Sequence, residues 1–276
     1  MRKYRVIVPA SEDYIHGLEV FLRSFHKHHN GIGVTLLNYD IPTDFISKWD
    51  FEEVVQLDTS ISPKVVCKLA SYEFMNNCDD IVMLADADCF FLANTKFLFD
   101  IASVGYIVGS ANGQNVSFKR DYADLTGLPV AGKHQYRTIA APYVADCSVF
   151  GEYFQYAVDA WRGIGESHGT SIWLLFNAVI AQHDLQEKLI LFPAQQLTNL
   201  HQKMLKPGTR VRNDKGKLMT EDGLQVLMCH DKWWKPNFIE GLMAMGEKFC
   251  KGDSHCLNQW KGSRDLLKQE FDNLVG

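Results

Sequence analysis

Residues 81–91 read IVMLADADCFF, in which five consecutive apolar residues precede two aspartates separated by one alanine. A run that is apolar on both faces is typical of a central strand in a parallel sheet, because helices cover both sides of such strands. In open α/β sheets, ligands bind beyond the carboxyl ends of the strands. The pattern therefore predicts a buried strand over Ile81–Ala85, with Asp86 and Asp88 at a ligand-binding edge.

Two aspartates this close to each other and to a buried strand need a counter-charge. Each carboxylate raises the pKa of the other unless a cation neutralises the pair, and burying them unpaired would cost several kcal/mol. Oxygen ligands suit a hard divalent cation such as Mg²⁺ or Mn²⁺, which typically binds a diphosphate and activates it as a leaving group. A solvated turn with two capping aspartates is the alternative interpretation of Asp86 and Asp88.

The first third of the chain alternates between strand and helix patterns. β-Rich segments indicate strands, whereas apolar residues recurring at helical spacing indicate helices. This alternation predicts a doubly wound, mostly parallel α/β sheet. The predicted strands are Tyr4–Val8, Gly33–Asn38 and Val54–Leu57, and the predicted helices are Tyr14–His29 and Lys64–Asn77.

The second half of the chain is less regular, and it contains no internal repeat, low-complexity tract or linker. We therefore expect one domain over residues 1–276, with a nucleotide-binding half at 1–95, a sugar and acceptor half at 96–240 and a helical tail at 241–276. Strands are predicted at Tyr106–Ser110, Val144–Phe150 and Val226–Cys229, helices at Glu152–Trp161, from Thr170 or Ser171 to Gln182 and at Ser263–Leu274, and a hairpin at Thr209–Thr220.

Composition excludes several classes of protein. The net charge of −5 and the pI near 6.0 argue against a protein that coats nucleic acid or an anionic membrane. No run of about 18 apolar residues is present, so no transmembrane span is expected, and the N-terminal apolar stretch is too short for a signal peptide. Seven scattered cysteines indicate free thiols in a reducing compartment, the cytoplasm. Cys250, His255 and Cys256 lie close together, but their spacing fits no standard zinc motif.

The segment Leu84–Cys89 resembles the Asp-x-Asp signature of GT-A glycosyltransferases, and in particular glycosyltransferase family 8, which includes glycogenin and lipopolysaccharide galactosyl- and glucosyltransferases. The loop at Ser11–Gly17 is similar to the family's base-binding loop, and Lys68-Leu69 resembles its Lys-Leu pair. Leu191–Asn199 resembles its Leu-Pro…Asn segment. The C-terminal segment CHDKWWKP, residues 229–236, is similar to the family's metal and diphosphate motif.

The resemblance implies a GT-A fold and a function for each matching residue. Asp86, Asp88 and His230 would bind the metal, Mn²⁺ or Mg²⁺, and Lys235 the diphosphate. A neutral imidazole beside two carboxylates suits Mn²⁺ better than Mg²⁺. The expected donor is a UDP-sugar, and the expected reaction retains the anomeric configuration. Tyr14 is expected on the base, with the backbone of Pro9, Ala10 and Ser11 around it, and Ala87 is expected to contact the donor between the aspartates. Lys68 is a further expected donor contact. Lys68 and Asp146 are both expected near the reacting centre.

The chain also departs from the family pattern at three places. The spacing from His230 to Lys235 is one residue shorter than usual, and the glycine between them is absent. The family's Asn-Ser-Gly motif is replaced by residues 145–148, and its Asp-Gln motif has no clear counterpart near residues 172–177. These two motifs normally contact the donor sugar and the acceptor, so the departures leave the sugar and the acceptor open.

The expected acceptor is a hydroxyl group of a glycan or lipopolysaccharide. Trp233 and Trp234 form a candidate stacking platform. A basic segment could bind a phosphorylated acceptor or simply be a solvated hairpin, and a transferase acting on modified bases in DNA is the minority interpretation. The basic residues are Lys203, Lys206, Arg210, Arg212, Lys215 and Lys217.

Two other classes of protein also fit the Asp-x-Asp pattern: a non-catalytic, metal-dependent sugar-binding protein and a phosphatase of the haloacid dehalogenase type. The oligomeric state is not predicted.

Overall fold

The computed structural model describes residues 2–111, 139–164, 172–197 and 210–275. Its strands are β1 Tyr4–Ala10, β2 Gly33–Asn38, β3 Glu53–Gln56, β4 Ile81–Leu84, β5 Cys89–Phe91, β6 Ile107–Ala111, β7 Ile139–Asp146, β8 Leu189–Phe192, β9 Val211–Asp214, β10 Lys217–Thr220 and β11 Met228–His230. Its α-helices are α1 Ile15–His28, α2 Thr43–Ile46, α3 Pro63–Asn76, α4 Lys96–Ala102, α5 Cys147–Ile164, α6 Ile172–Gln182, α7 Ala194–Leu197, α8 Pro236–Cys250 and α9 Ser254–Val275.

The chain forms two compact units, each built from three separate segments. The first unit contains Met1–Ser11, Ile32–Ala85 and Lys96–Phe192, and the second contains Glu12–Gly31, Asp86–Thr95 and Pro193–Gly276. These units do not follow the linear division at residues 95 and 240 that the sequence suggested. The organisation as one domain stays a prediction.

The first unit is built on a seven-stranded sheet in the order β3-β2-β1-β4-β7-β6-β8. β1 pairs in parallel with β2 and β4, β2 with β3, and β6 with β8. Only β7 runs antiparallel to its neighbours β4 and β6. The sheet is therefore mostly parallel, as predicted. Every residue of β4 is buried, which agrees with its uninterrupted apolar sequence.

Aromatic side chains fill the core beneath the sheet of the first unit. Tyr72 of α3 contacts the rings of Phe154 in α5 and Phe176 in α6, with centroids 5.7 and 5.5 Å apart. Phe154 and Phe176 also stack on each other at 4.7 Å. Tyr143 of β7 lies in the same cluster. These helices are thus fixed to the sheet by apolar burial, which is the main favourable term in folding.

The predicted strand over residues 144–150 is wrong in its second half. β7 ends at Asp146, and α5 begins at Cys147. Asp146 Oδ1 accepts hydrogen bonds from the backbone N–H and the hydroxyl of Ser148, at 3.1 and 2.6 Å, so it satisfies a free donor at the helix start. Phe150 and Phe154 then lie one helical turn apart in the core. Apolar residues dominate both a strand pattern and a buried helical pattern, so the sequence of this segment does not distinguish the two.

The second unit combines α1, two small antiparallel sheets and the C-terminal helices. β9 and β10 form the predicted hairpin, whose turn has positive φ at Lys215 and Gly216. β5 pairs with β11. The core of this unit contains Phe90, Trp233 and Trp260 among its buried residues. The amphipathic helix predicted at 263–274 is longer than expected, because it begins at Ser254.

The prediction of free thiols is wrong for two of the seven cysteines. Cys250 and Cys256 form a disulfide, because Lys251 and Gly252 adopt positive φ and turn the chain back between α8 and α9. These thiols therefore bind each other and not zinc with His255, and they do not support a reducing compartment. Cys67, Cys78, Cys89, Cys147 and Cys229 are free. No helix among the described residues is long and apolar enough to cross a membrane.

Candidate metal and diphosphate site

The pairing of β5 with β11 brings the predicted metal ligands together within the second unit. Asp86 and Asp88 immediately precede β5, and Cys89 at its start is paired with His230 at the end of β11. The backbone N–H of Asp231 donates to the carbonyl of Asp88 at 3.0 Å. This antiparallel ladder carries His230, distant in sequence, to the two aspartates.

The side chains of the predicted metal site are in contact. His230 Nε2 lies 2.8 Å from Asp88 Oδ1 and 3.5 Å from Asp86 Oδ2. The exposed fractions of the side chains are 10% for Asp88, 19% for His230 and 34% for Asp86. The cluster is thus nearly buried at Asp88 and opens towards solvent at Asp86, an arrangement that leaves one side free for a ligand.

The two carboxylates determine the protonation of His230. Burial lowers the pKa of His230, but the hydrogen bond to Asp88 and the charges of Asp88 and Asp86 raise it by a larger amount. The resulting pKa is about 9, above the usual value of a histidine. The hydrogen bond to His230 also offsets the effect of burial on Asp88, so that the pKa of Asp88 is lowered. In the protein alone, a proton on the imidazole therefore supplies the positive charge that the carboxylates need.

The chemistry of these groups fits a divalent cation. Among the described residues, His230 Nδ1 is buried without a hydrogen-bond partner, while Nε2 contacts both carboxylates. Ligand atoms of Asp88, Cys89 and His230 also lie within 4.8 Å of one another. However, burial and then the charges of Asp86 and Asp88 raise the pKa of the Cys89 thiol well above its usual value. We therefore favour the two carboxylates and the imidazole as ligands, a donor set that suits Mn²⁺.

An aromatic and cationic cluster lies in the same unit, on the residues that flank β5 and β11. The rings of Tyr14 and Trp234 meet edge to face, with centroids 6.0 Å apart. Lys232 Nζ lies 5.2 Å and Lys235 Nζ 5.7 Å from the centroid of the Tyr14 ring. A hydrogen bond with the Tyr14 hydroxyl raises the pKa of Lys232. Two ammonium groups and two aromatic rings thus form one surface.

Gly17 explains how α1 approaches this cluster. A Cβ atom at position 17 would lie 2.6 Å from the indole ring of Trp234 and 2.8 Å from the carbonyl oxygen of Ala87. Glycine is therefore required, because any larger residue would push away the segment that carries the aspartates or the ring beside Tyr14. Tyr14 and Lys235, both predicted donor ligands, are held together by this packing.

The remaining predicted donor residues belong to the first unit. Pro9 and Ala10 end β1, and Ser11 follows it as a buried residue. Lys68 is exposed on α3. Their roles at the donor stay predictions. Asn199, Lys203 and Lys206 lie outside the described residues.

The structure argues against Asp146 as a group near the reacting centre. The register of β4 and β7 pairs Asp146 with Ile81, where the chain enters β4, whereas Leu84 leads to the aspartates at the other end and pairs with Tyr143. Asp146 is 1% exposed, forms an ion pair with Arg2 and caps α5. Asp146 therefore has a structural role at the start of α5, at the end of β4 that lies away from the aspartates.

Two residues of the site, Lys232 and Gly17, have no role in the sequence-based predictions. Lys232 was not assigned a role, although a lysine two residues after a candidate metal ligand is a visible signal. Gly17 was read only as part of a loop motif. A glycine inside an otherwise strong helical pattern, as at position 17, often marks close packing, and that signal was present in the sequence.

The fold is similar to that of solved glycosyltransferases. The galactosyltransferase LgtC, solved with donor and acceptor sugar analogs, matches with a TM-score of 0.57 and 14% identity over 94% of this chain and 99% of LgtC. An active-site mutant of LgtC matches with a TM-score of 0.57 and 13% identity, over 87% and 95% of the two chains. The apo glycosyltransferase GlyE of Streptococcus pneumoniae TIGR4 matches with a TM-score of 0.52 and 15% identity, over 95% of this chain and 64% of GlyE.

These likenesses confirm the predicted GT-A fold. At this level of identity they show the fold and do not by themselves assign an activity. No protein-family model matches the sequence, and no curated protein matches it.

Replacing Gly17 with alanine tests the close packing at the site. We expect Gly17→Ala to destabilise the protein by about 1–3 kcal/mol through overpacking and to weaken Mn²⁺ binding, because Trp234 or the Asp86–Asp88 segment must move. Gly241→Ala on α8 is the matched control, since nothing lies within 4 Å of the added Cβ. There we expect no loss, or a gain of up to about 1 kcal/mol. Urea unfolding and Mn²⁺ titration measure both quantities; equal behaviour of the two variants would contradict the packing argument.

The pKa of His230 predicts how metal affinity depends on pH. A cation needs the neutral imidazole, so below the pKa of about 9 binding must release a proton. The apparent affinity for Mn²⁺ should therefore rise roughly tenfold per pH unit between about pH 6.5 and pH 8.5. Without metal, the stability of the fold depends on pH in the opposite direction. Because the pKa of His230 is raised in the folded protein, the charged imidazole stabilises the fold fully below the pKa that His230 has in the unfolded chain. This stabilisation is lost as the pH rises through about 9.

Calorimetry in buffers of different ionisation enthalpy measures the number of protons released. His230→Gln keeps a polar side chain but removes the titrating group, and it should show weak binding with little dependence on pH. An affinity of the wild-type protein that does not change with pH would rule out His230 as a ligand that must first lose a proton.

Proposed function

We propose that this protein is a metal-dependent glycosyltransferase that moves a sugar from a nucleoside diphosphate sugar, a UDP-sugar, to an acceptor hydroxyl. The observation that carries the proposal is the contact of His230 with Asp86 and Asp88, in the same unit as the two lysines around Tyr14. The likeness of the fold to solved glycosyltransferases supports the reaction class.

The charges of the site suit a diphosphate leaving group. Asp86, Asp88 and His230 would hold the cation, which when bound supplies Lewis-acid charge against the departing diphosphate. Lys235 and Lys232 add two fixed positive charges that stabilise the negative charge as it develops. Lys235 is also the residue that directly precedes Pro236, the first residue of α8.

The aromatic rings are suited to the nucleoside part of the donor. Tyr14 and Trp234 form two walls at an angle of 70°, and aromatic side chains bind flat bases by stacking. In this proposal Pro9, Ala10 and Ser11 line the base with backbone groups, Ala87 leaves room for the donor between the aspartates, and Lys68 positions the sugar. Retention of the anomeric configuration is part of the proposal and rests on the resemblance to family 8, since Asp146 is not available as a nearby group.

The acceptor in this proposal is a hydroxyl of a glycan or of lipopolysaccharide. A modified base in DNA is the alternative acceptor, because the hairpin exposes Arg212, Lys215 and Lys217. Binding to duplex DNA that weakens steeply with salt would favour the DNA acceptor, since phosphate contacts depend strongly on salt. Arg210 is partly engaged within the protein, where it contacts Gln259 and Cys256.

One observation favours a second candidate, a protein that binds nucleotide-sugar without transferring it. The end of β7 that pairs with Leu84 carries Ala141 and Pro142, and the first turn of α6 is Ile172, Trp173 and Leu174. These residues are apolar, and Asn177, the polar residue of the expected segment 172–177, is buried and hydrogen-bonded to the backbone of Ile139 and Trp173, so its amide is already engaged within the protein. This candidate predicts donor binding with no release of UDP.

A turnover assay separates the two candidates. Wild-type protein with UDP-sugar and Mn²⁺ should release UDP, slowly to water and faster with an acceptor, and chelation of the metal should stop the release. Lys235→Met should lower kcat about 100-fold, because it removes a charge that acts on the leaving group. Lys248→Met, on the exposed face of α8, is the matched control and should keep full activity.

The outcomes of this assay are distinct. Binding of donor with no UDP release under any condition would support the second candidate, whereas a fully active Lys235→Met would remove this lysine from the mechanism.

A further inference from the structure

Cys78 and Cys147 lie side by side in the first unit, far apart in sequence and outside the proposed transferase site. Cys78 follows α3, and Cys147 is the first residue of α5. β4 and β7 pair Ile81 with Asp146, and the N–H of Cys147 donates to the carbonyl of Asp80 at 3.0 Å. The two cysteine-bearing segments therefore run together, and the two thiols share a hydrogen bond.

The two thiols are not equivalent. Cys147 is 3% exposed and packs in the core, whereas Cys78 is half-buried at the edge of the same cluster. The backbone N–H of Asp80 donates to Cys78 Sγ at 3.3 Å. The hydrogen bond from Cys147, together with this backbone donor, lowers the pKa of Cys78 against the effect of burial. The accessible thiol is thus the more acidic one, which is the arrangement of an attacking thiol beside a resolving thiol.

A cavity of about 660 Å³ gives small molecules access to Cys78. Its wall also carries the carboxylates of Glu53, Glu73, Asp79 and Asp80, against the single guanidinium of Arg5. Negative charge along this wall disfavours anionic reagents such as glutathione disulfide. A small uncharged oxidant is therefore the reagent that this cavity admits best.

We propose that Cys78 and Cys147 form a redox-active dithiol that hydroperoxides convert to a disulfide. The Cys78 thiolate attacks the peroxide O–O bond, which gives a sulfenic acid at Cys78 and, with one proton, water. The Cys147 sulfur then attacks the sulfenic sulfur, the S–S bond forms, and hydroxide leaves with the Cys147 proton as a second water. Two thiols are oxidised and one hydrogen peroxide is reduced to two waters, so the step balances.

This inference does not depend on the proposed transferase activity. The disulfide would tie the connection after α3 to the start of α5, two neighbouring segments that pack on the same core. It should raise the unfolding temperature of the protein, because the cross-link restricts the unfolded chain. A reductant should reverse the effect.

The test is peptide mapping of the full chain after exposure to hydrogen peroxide, with free thiols alkylated before digestion without reductant. We expect a linked pair of peptides containing Cys78 and Cys147, lost on treatment with dithiothreitol. In the unoxidised protein, alkylation of Cys78 should be roughly tenfold faster than that of Cys67, a half-buried thiol on α3, because burial and the charge of Asp40 raise the pKa of Cys67 to about 11. Glutathione disulfide should give the same product more slowly.

Variants keep the proposal open to refutation. Cys78→Ser should abolish the linked peptides, and Cys147→Ala should leave a sulfenic acid at Cys78 that dimedone traps. Circular dichroism shows whether the buried Cys147→Ala variant folds; if it does not, the wild-type map and Cys78→Ser still decide. Cys67→Ser is the control and should form the disulfide normally. Absence of the linked peptides in oxidised wild type, or Cys67 reacting as fast as Cys78, would overturn the proposal.

Discussion

The short antiparallel pairing of β5 with β11 is the constraint on which the candidate site depends. Asp86 and Asp88 repel each other, and Asp88 is almost buried, so neither charge is stable there without a positive partner. The pairing of Cys89 with His230 supplies that partner. A proton on His230 fills this need in the protein alone, and a divalent cation fills it in the active protein that we propose. This pairing holds together the two segments, distant in sequence, that carry the three candidate ligands.

The same ladder determines the position of the other groups. Because His230 is fixed beside Asp88, the residues that follow it, Lys232 to Lys235, must turn back over Tyr14. Trp234 then occupies the space that Gly17 leaves open on α1. The shortened spacing between His230 and Lys235 thus does not remove the lysine from the cluster, and Lys232 adds a second ammonium group. A metal site, a cationic surface and an aromatic wall therefore arise from one local arrangement in the second unit.

The sequence predicted those features that follow from local pattern. The apolar run at β4, the helical period of α1 and the turn chemistry of the hairpin each determine a structure over a few residues, and each was found. The resemblance also selected His230 as a candidate ligand, which no periodicity would have done. The errors arose where the outcome depends on distant contacts. Asp146 was misplaced because its role depends on strand register and on Arg2, and the disulfide depends on how two helices turn back on each other.

The most direct test of the central claim is a calorimetric titration of UDP into the wild-type protein and Asp88→Ala, each with and without Mn²⁺. We predict that the wild-type protein binds UDP tightly only when Mn²⁺ is present, and that Asp88→Ala loses this metal-dependent affinity while it remains folded. Binding of UDP that is equally strong without Mn²⁺, or unchanged in Asp88→Ala, would contradict the assignment of Asp86, Asp88 and His230 as the metal site of a nucleotide-sugar enzyme.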